Sequence, residues 1–136
     1  MARSEQIDIL LYKAQQDEKV VRCLMDDSEI SDEVIGFHVQ QAIEKLLKAL
    51  LVHLNIDFPK THVLELLVEL LEANGVRMPE EMADIGSLTS FAVAFRYDDL
   101  PFENSFDRAA GLRSVVLVRE WVTNFLPPAL EPSPIV

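Results

Sequence analysis

The sequence predicts an all-α fold, an up-down bundle of about five helices, and three observations carry the prediction. Apolar residues recur at helical spacing over several long stretches. Turn-forming residues are scarce in the body of the chain: there are four glycines, and four of the seven prolines (Pro127, Pro128, Pro132, Pro134) fall at the very end. The hydrophobic fraction of 49% and mean hydropathy of +0.14 give enough apolar material for a real core. The length of 136 residues suits one domain. We expect a helical domain over residues 1–126 and a Pro-rich tail over 127–136.

The first helix is expected from about Ser4 to Met25, on a stripe of Ile7, Leu10, Leu11, Ala14, Val21, Leu24 and Met25. Asp26-Asp27-Ser28 breaks it. Ser31 or Asp32 can cap the second helix, which runs to about Leu54. After the connector Asn55-Ile56-Asp57-Phe58-Pro59, Thr61 is expected to cap a third helix that stops at Asn74-Gly75. Pro79, followed by Glu80 and Glu81, opens a fourth helix that continues to about Tyr97. Asn104 or Ser105 starts the fifth, with Asp107 in its first turn, and Pro127-Pro128 stops it. Gly36, Gly86 and Gly111 fall inside predicted helices, where each costs about 1 kcal/mol relative to alanine. Close approach between helices is the compensation expected. Cys23 lies off the main stripe of the first helix, near Ile9, Tyr12 and Val20, and reads as a small core or interface residue.

The second helix is the most informative. At about 100° per residue, Ile35, Val39, Ala42, Ile43, Leu46, Leu50 and Leu54 form a broad apolar arc. Opposite lies a narrow row of His38, Gln41, Lys45 and Lys48. Gln40 and Glu44 interrupt an apolar flank made by Phe37, Leu47 and Leu51. Such a helix is central in a bundle, and two roles are open to its polar row: a solvated face, or one wall of a cleft. A buried Glu44 needs a partner. Lys48 is one turn away, and Arg96 is the best distant candidate.

Composition and motifs exclude much chemistry. The net charge is −11, from 23 acids and 12 bases, which disfavours non-specific nucleic-acid binding. A single cysteine rules out a disulfide framework within the chain. The opening MARSEQIDIL does not read as a signal peptide, and no apolar run reaches about 18 residues, so no membrane span is expected and the cytoplasm is the default location. His38, His53 and His62 form neither His-Glu-x-x-His nor Glu-x-x-His, so no metal and no cofactor is expected. No Gly-rich phosphate loop is present. His62, placed in the expected first turn of the third helix, reads as a neutral packing or capping residue.

The run Phe37-His38-Val39-Gln40-Gln41-Ala42-Ile43-Glu44-Lys45-Leu46-Leu47-Lys48-Ala49-Leu50 resembles the signature helix of the HEPN family, the higher eukaryote and prokaryote nucleotide-binding domain. The resemblance continues through Phe58-Pro59-Lys60-Thr61-His62-Val63-Leu64 and closes at Ala94-Phe95-Arg96-Tyr97. It implies a helical bundle that commonly forms homodimers, similar to the substrate-binding subunits of nucleotidyltransferases. It also implies pairing with a minimal nucleotidyltransferase, often as a toxin–antitoxin couple. Many family members are metal-independent ribonucleases that carry an Arg-x(4–6)-His motif. Here Arg96 is followed at that spacing by Pro101, Phe102 and Glu103, and no other arginine has a histidine at that distance. The sequence therefore resembles the branch without the motif, with no catalytic residues assigned.

The expected function is a nucleotide- or partner-binding module, the non-nuclease partner of a nucleotidyltransferase. Its ligand-binding residues would be His38, Gln41, Glu44, Lys45, Arg96 and Tyr97, the tyrosine serving for stacking. One alternative is a ribonuclease toxin with a non-standard site, using His38 or His62 with Arg96. Another is a purely structural subunit of a nucleotidyltransferase complex, in which the acidic surface meets a basic partner.

Overall fold

A helix begins where an oxygen can take up its orphan amides, and three of the helices here start on such a side chain. In the computed structural model, which describes residues 4–88 and 106–128, helix α1 spans Glu5–Leu24 and Ser4 Oγ accepts from Ile7 N at 3.3 Å. Helix α2 spans Asp32–His53, with Ser31 Oγ accepting from Val34 N at 3.3 Å. Helix α3 covers Leu64–Ala73, a 3-10 helix covers Glu80–Leu88, and α4 covers Arg108–Phe125. Among the described residues these five helices form an all-α bundle with no strand.

Helix ends follow the same logic. Both α2 and α3 close on a residue with positive φ, Asn55 at 57° and Gly75 at 85°. In each case the next amide folds back: Ile56 N reaches Leu51 O and Val76 N reaches Leu71 O, both at 2.9 Å. This pairing satisfies the last carbonyls, and only glycine or asparagine adopts the left-handed backbone at low cost.

Three expected elements are corrected. Thr61 does not cap the third helix. Its hydroxyl accepts from Val63 N at 3.0 Å in a local turn, and α3 begins later, on a Val63 cap with no side-chain bond. His62 thus precedes the helix instead of lying in its first turn. The expected fourth helix is a 3-10 helix over Glu80–Leu88; its continuation to Tyr97 lies outside the described residues. Three residues per turn stack Met82, Ile85 and Leu88 on one line, and all three are buried. The last helix starts at Arg108 because Asp107 is itself the cap, its Oδ1 accepting from Ala110 N at 2.9 Å. Asn104 and Ser105 fall outside the described residues.

Helix α2 is the axis of the bundle. It packs against α1, α3, α4 and the 3-10 helix. Ile35, Val39, Ala42, Ile43, Leu46, Leu47, Leu50 and Leu51 are all buried, each large side chain contributing about 1.5–3 kcal/mol. A Cβ on Gly111 of α4 would stand 3.2 Å from Val39 Cγ2 and 2.6 Å from Phe106 Cζ, so α4 approaches α2 closely there. Gly86 is equally tight, 2.9 Å from Glu65 Cγ. Cys23, in contrast, is exposed, as are Ile9 and Tyr12, so that face of α1 is not core in the single chain.

One residue ties three helices together. Arg108 opens α4 and reaches over the end of α1. Its Nη1 donates to the carbonyls of Leu24, Met25 and Asp27 at 3.0–3.1 Å, its Nη2 to Ile30 O at 2.5 Å, and its Nε to Asp32 Oδ1 at 2.7 Å. A planar guanidinium suits this fork of acceptors, and its charge complements the negative end of α1. Because Arg108 meets the end of α1 and the start of α2, and Arg119 meets Glu18 further back, α4 runs antiparallel to α1 and alongside α2.

Candidate functional site: the paired polar row of the central helix

Three carboxylates are buried in the bundle, two of them on α1, and the polar row of α2 meets two of the three, Asp17 and Glu44. Asp17 and Glu18 occupy the turn between Ala14 and Val21 where the apolar stripe of α1 would otherwise continue. Both are buried, and so is Glu44 on α2. Burying a carboxylate is costly unless cations and donors surround it, and each of the three is surrounded.

Asp17 bridges two turns of α2. Lys45 Nζ sits 2.5 Å from Oδ2, and His38 Nδ1 sits 3.0 Å from Oδ1. A carboxylate oxygen accepts, so Nδ1 of His38 carries a proton and Nε2 is the ring nitrogen left for another contact. The Phe37 ring stands edge-on to this imidazole at 5.5 Å.

Glu44 gathers the connector between α2 and α3. Its Oε1 accepts from Gln40 Nε2 and from His62 Nδ1, both at 2.9 Å, and its Oε2 pairs with Lys48 Nζ at 2.9 Å. Gln40, fully buried, also donates to His62 O at 3.1 Å and accepts from Gln41 Nε2 at 2.7 Å. Lys48 Nζ stands 5.9 Å from the centre of the Phe58 ring. Phe58 and His62 are thereby fixed against α2 although the chain between them has no regular structure.

Glu18 joins α1 to α4. Arg22 binds Oε2 through Nε at 3.1 Å and Nη2 at 2.8 Å, and Arg119 Nε binds Oε1 at 2.9 Å.

The residues expected to form one ligand cleft therefore fall into two clusters. His38 and Lys45 converge on Asp17. Gln41 joins Glu44 through Gln40. Arg96 and Tyr97 lie outside the described residues, and so does any Glu44–Arg96 bridge. The cationic partner of Glu44 on its own helix is Lys48. His38, Gln41, Lys45 and Lys48 are half-buried, so the row is neither a free solvated face nor an open wall of unpaired donors.

Sequence reading missed Asp17, Glu18 and Arg119. The signal for the first two was present: two acids at the stripe position between Ala14 and Val21, where the register calls for apolar side chains. Arg119 had no comparable mark.

Two carboxylate–imidazole pairs result, Asp17–His38 and Glu44–His62, each engaging the imidazole through Nδ1. Among the described residues no group of three His, Cys, Asp or Glu is placed to hold a metal ion. No described helix is long and apolar enough to cross a membrane.

A model of the HEPN domain matches residues 7–125, from the first turn of α1 to the last residue of α4. No curated protein and no solved structure matches the chain. With the family model covering nearly all of the described bundle, the chain belongs to the HEPN domain family.

Proposed function

We propose that this chain is a non-nuclease HEPN module, residues 1–126 with a Pro-rich tail, that works by binding a partner protein in the cytoplasm. The partner we favour is a minimal nucleotidyltransferase, in a toxin–antitoxin-like pair. The observation that carries this reading is the commitment of the row's lysines. Lys45 is bonded to Asp17 and Lys48 to Glu44, both carboxylates being buried. A nucleotide phosphate that drew either lysine away would strip a buried carboxylate of its lysine, leaving Asp17 to His38 alone and Glu44 to Gln40 and His62, a loss of up to about 3–5 kcal/mol. The net charge of −11 adds a repulsive field for any polyanion. The absence of an arginine followed at the family spacing by histidine supports the non-nuclease assignment.

The test is co-expression with a minimal nucleotidyltransferase from the same genome, followed by size-exclusion chromatography with light scattering. A stable complex of defined mass is the expected result. Two proteins that elute apart at micromolar concentration contradict the reading.

A second reading has its own observation. The Asp17–His38 pair orients an imidazole through a carboxylate, the arrangement that positions a general base. Under it the chain is a metal-independent ribonuclease with His38 or His62 acting beside Arg96. Purified protein would then cleave single-stranded RNA, and His38→Ala or His62→Ala would abolish the cleavage. RNA left intact by the wild-type chain removes this reading.

A further inference from the structure

A second region of the bundle, at α3 and the 3-10 helix, carries charge in another way. Between Thr61 and Leu88 the sequence has six acids (Glu65, Glu69, Glu72, Glu80, Glu81, Asp84) and one base, Arg77. Here α3 and the 3-10 helix enclose a groove of about 340 Å³. Its floor is apolar, formed by Val68, Met78 and Met82, and its rim carries the exposed carboxylates Glu69, Glu72 and Glu80.

Two features of this groove point to the same occupant. The apolar floor rewards burial of a hydrophobic edge, and methionine side chains adapt to varied shapes. The rim concentrates negative charge: Glu69 and Glu72 sit three residues apart on α3, where like charges repel by a few tenths of a kcal/mol. None of Glu69, Glu72 and Glu80 pairs with a cation among the described residues, whereas the buried acids of α1 and α2 each pair with cationic groups. A cationic partner relieves the rim repulsion while its apolar side covers the floor. Polyanions are excluded by the same charge.

We propose that the groove between α3 and the 3-10 helix docks a basic amphipathic helix of a partner protein, with lysines or arginines over the glutamate rim and an apolar edge on the Val68–Met78–Met82 floor. The inference rests on the partner-binding reading above, and adds where the partner sits and what its surface carries. Such a helix lies in the groove as amphipathic helices lie in acid-rimmed clefts generally, with steering by charge and affinity from the apolar edge.

The probe is a designed helical peptide of leucine, alanine and lysine, about 18 residues long so that it holds its helix. Titrated into the labelled full-length chain, it should shift amides at Val68, Glu69, Met82 and Ile85 and saturate. The variant Glu69→Lys/Glu72→Lys, whose substitutions are on exposed positions, should weaken binding about tenfold or more. A peptide of equal charge with glutamine for leucine should weaken by a similar factor, because charge alone does not fill the floor. Shifts centred on another face, or an unchanged affinity in the variant, overturn the proposal. The nucleotidyltransferase experiment separates the two readings. If that protein co-elutes equally with wild type and with the variant, the groove is not its dock and the docking proposal falls while partner binding stands. If it never co-elutes but the peptide saturates the groove, the choice of partner falls and the groove stands.

Discussion

The α2 polar row and the α3 groove show two uses of charge in one small bundle. On α2, His38, Lys45 and Lys48 answer the buried carboxylates Asp17 and Glu44 at hydrogen-bond distance. On α3 and the 3-10 helix, Glu69, Glu72 and Glu80 line a groove, exposed and without a described cation. Charges that are paired and half-buried fix the register of helices. Charges held at a rim over an apolar floor are available to another molecule. The polar residues most conspicuous in the sequence are thus ones already engaged in ion pairs and hydrogen bonds.

Substitutions in the paired row should cost the most. Lys45→Met should leave the buried Asp17 with His38 as its one remaining partner in the row and cost about 3 kcal/mol in chemical denaturation. The double variant Asp17→Asn/Lys45→Met should recover a large part of that loss, giving a coupling of about 2 kcal/mol. Additive losses would mean that the pair is exposed and dispensable. Arg108→Ala removes the clamp on the α1–α2 turn and should cost about 2 kcal/mol through charge-assisted hydrogen bonds to carbonyls. A drop in Tm on the order of 6–10 °C by calorimetry is the expected reading. Ser31→Ala deletes the cap of the central helix and should cost about 1 kcal/mol in the same assay. At the other end, Glu69→Lys/Glu72→Lys should change stability by no more than about 0.5 kcal/mol, because both sites are exposed. A large loss there would show that the rim is structural as well, and the contrast between the two regions would disappear.

Much of the fold was legible because caps and stripes are local. Ser4 and Ser31 announce α1 and α2 within a residue, and Asn74-Gly75 announces the end of α3. The start of α3 was not legible, since Thr61 has a competing local bond to Val63 N that propensity does not rank. The 3-10 geometry was hidden because Met82, Ile85 and Leu88 fit a period of three and a period of 3.6 almost equally over so short a stretch. The polar row of α2 was visible on the helical wheel, but its meaning was not. Whether His38 and Lys45 face solvent, ligand or a buried acid depends on which turn of α1 lies opposite, and that is a tertiary fact. Arg108 was wholly silent, because most of its acceptors are main-chain carbonyls that any sequence supplies.

Asp17 and Glu44 hold the lysines of the α2 row, and under the proposed function these lysines do not take a phosphate. The most direct measurement is a titration of the labelled full chain with ATP, GTP and a short RNA, following the amides of residues 38–48. These resonances should stay in place at millimolar nucleotide, while co-expressed nucleotidyltransferase still binds. Saturable shifts at His38, Gln41 and Lys45 that vanish in Lys45→Met would contradict this and make the row a nucleotide site.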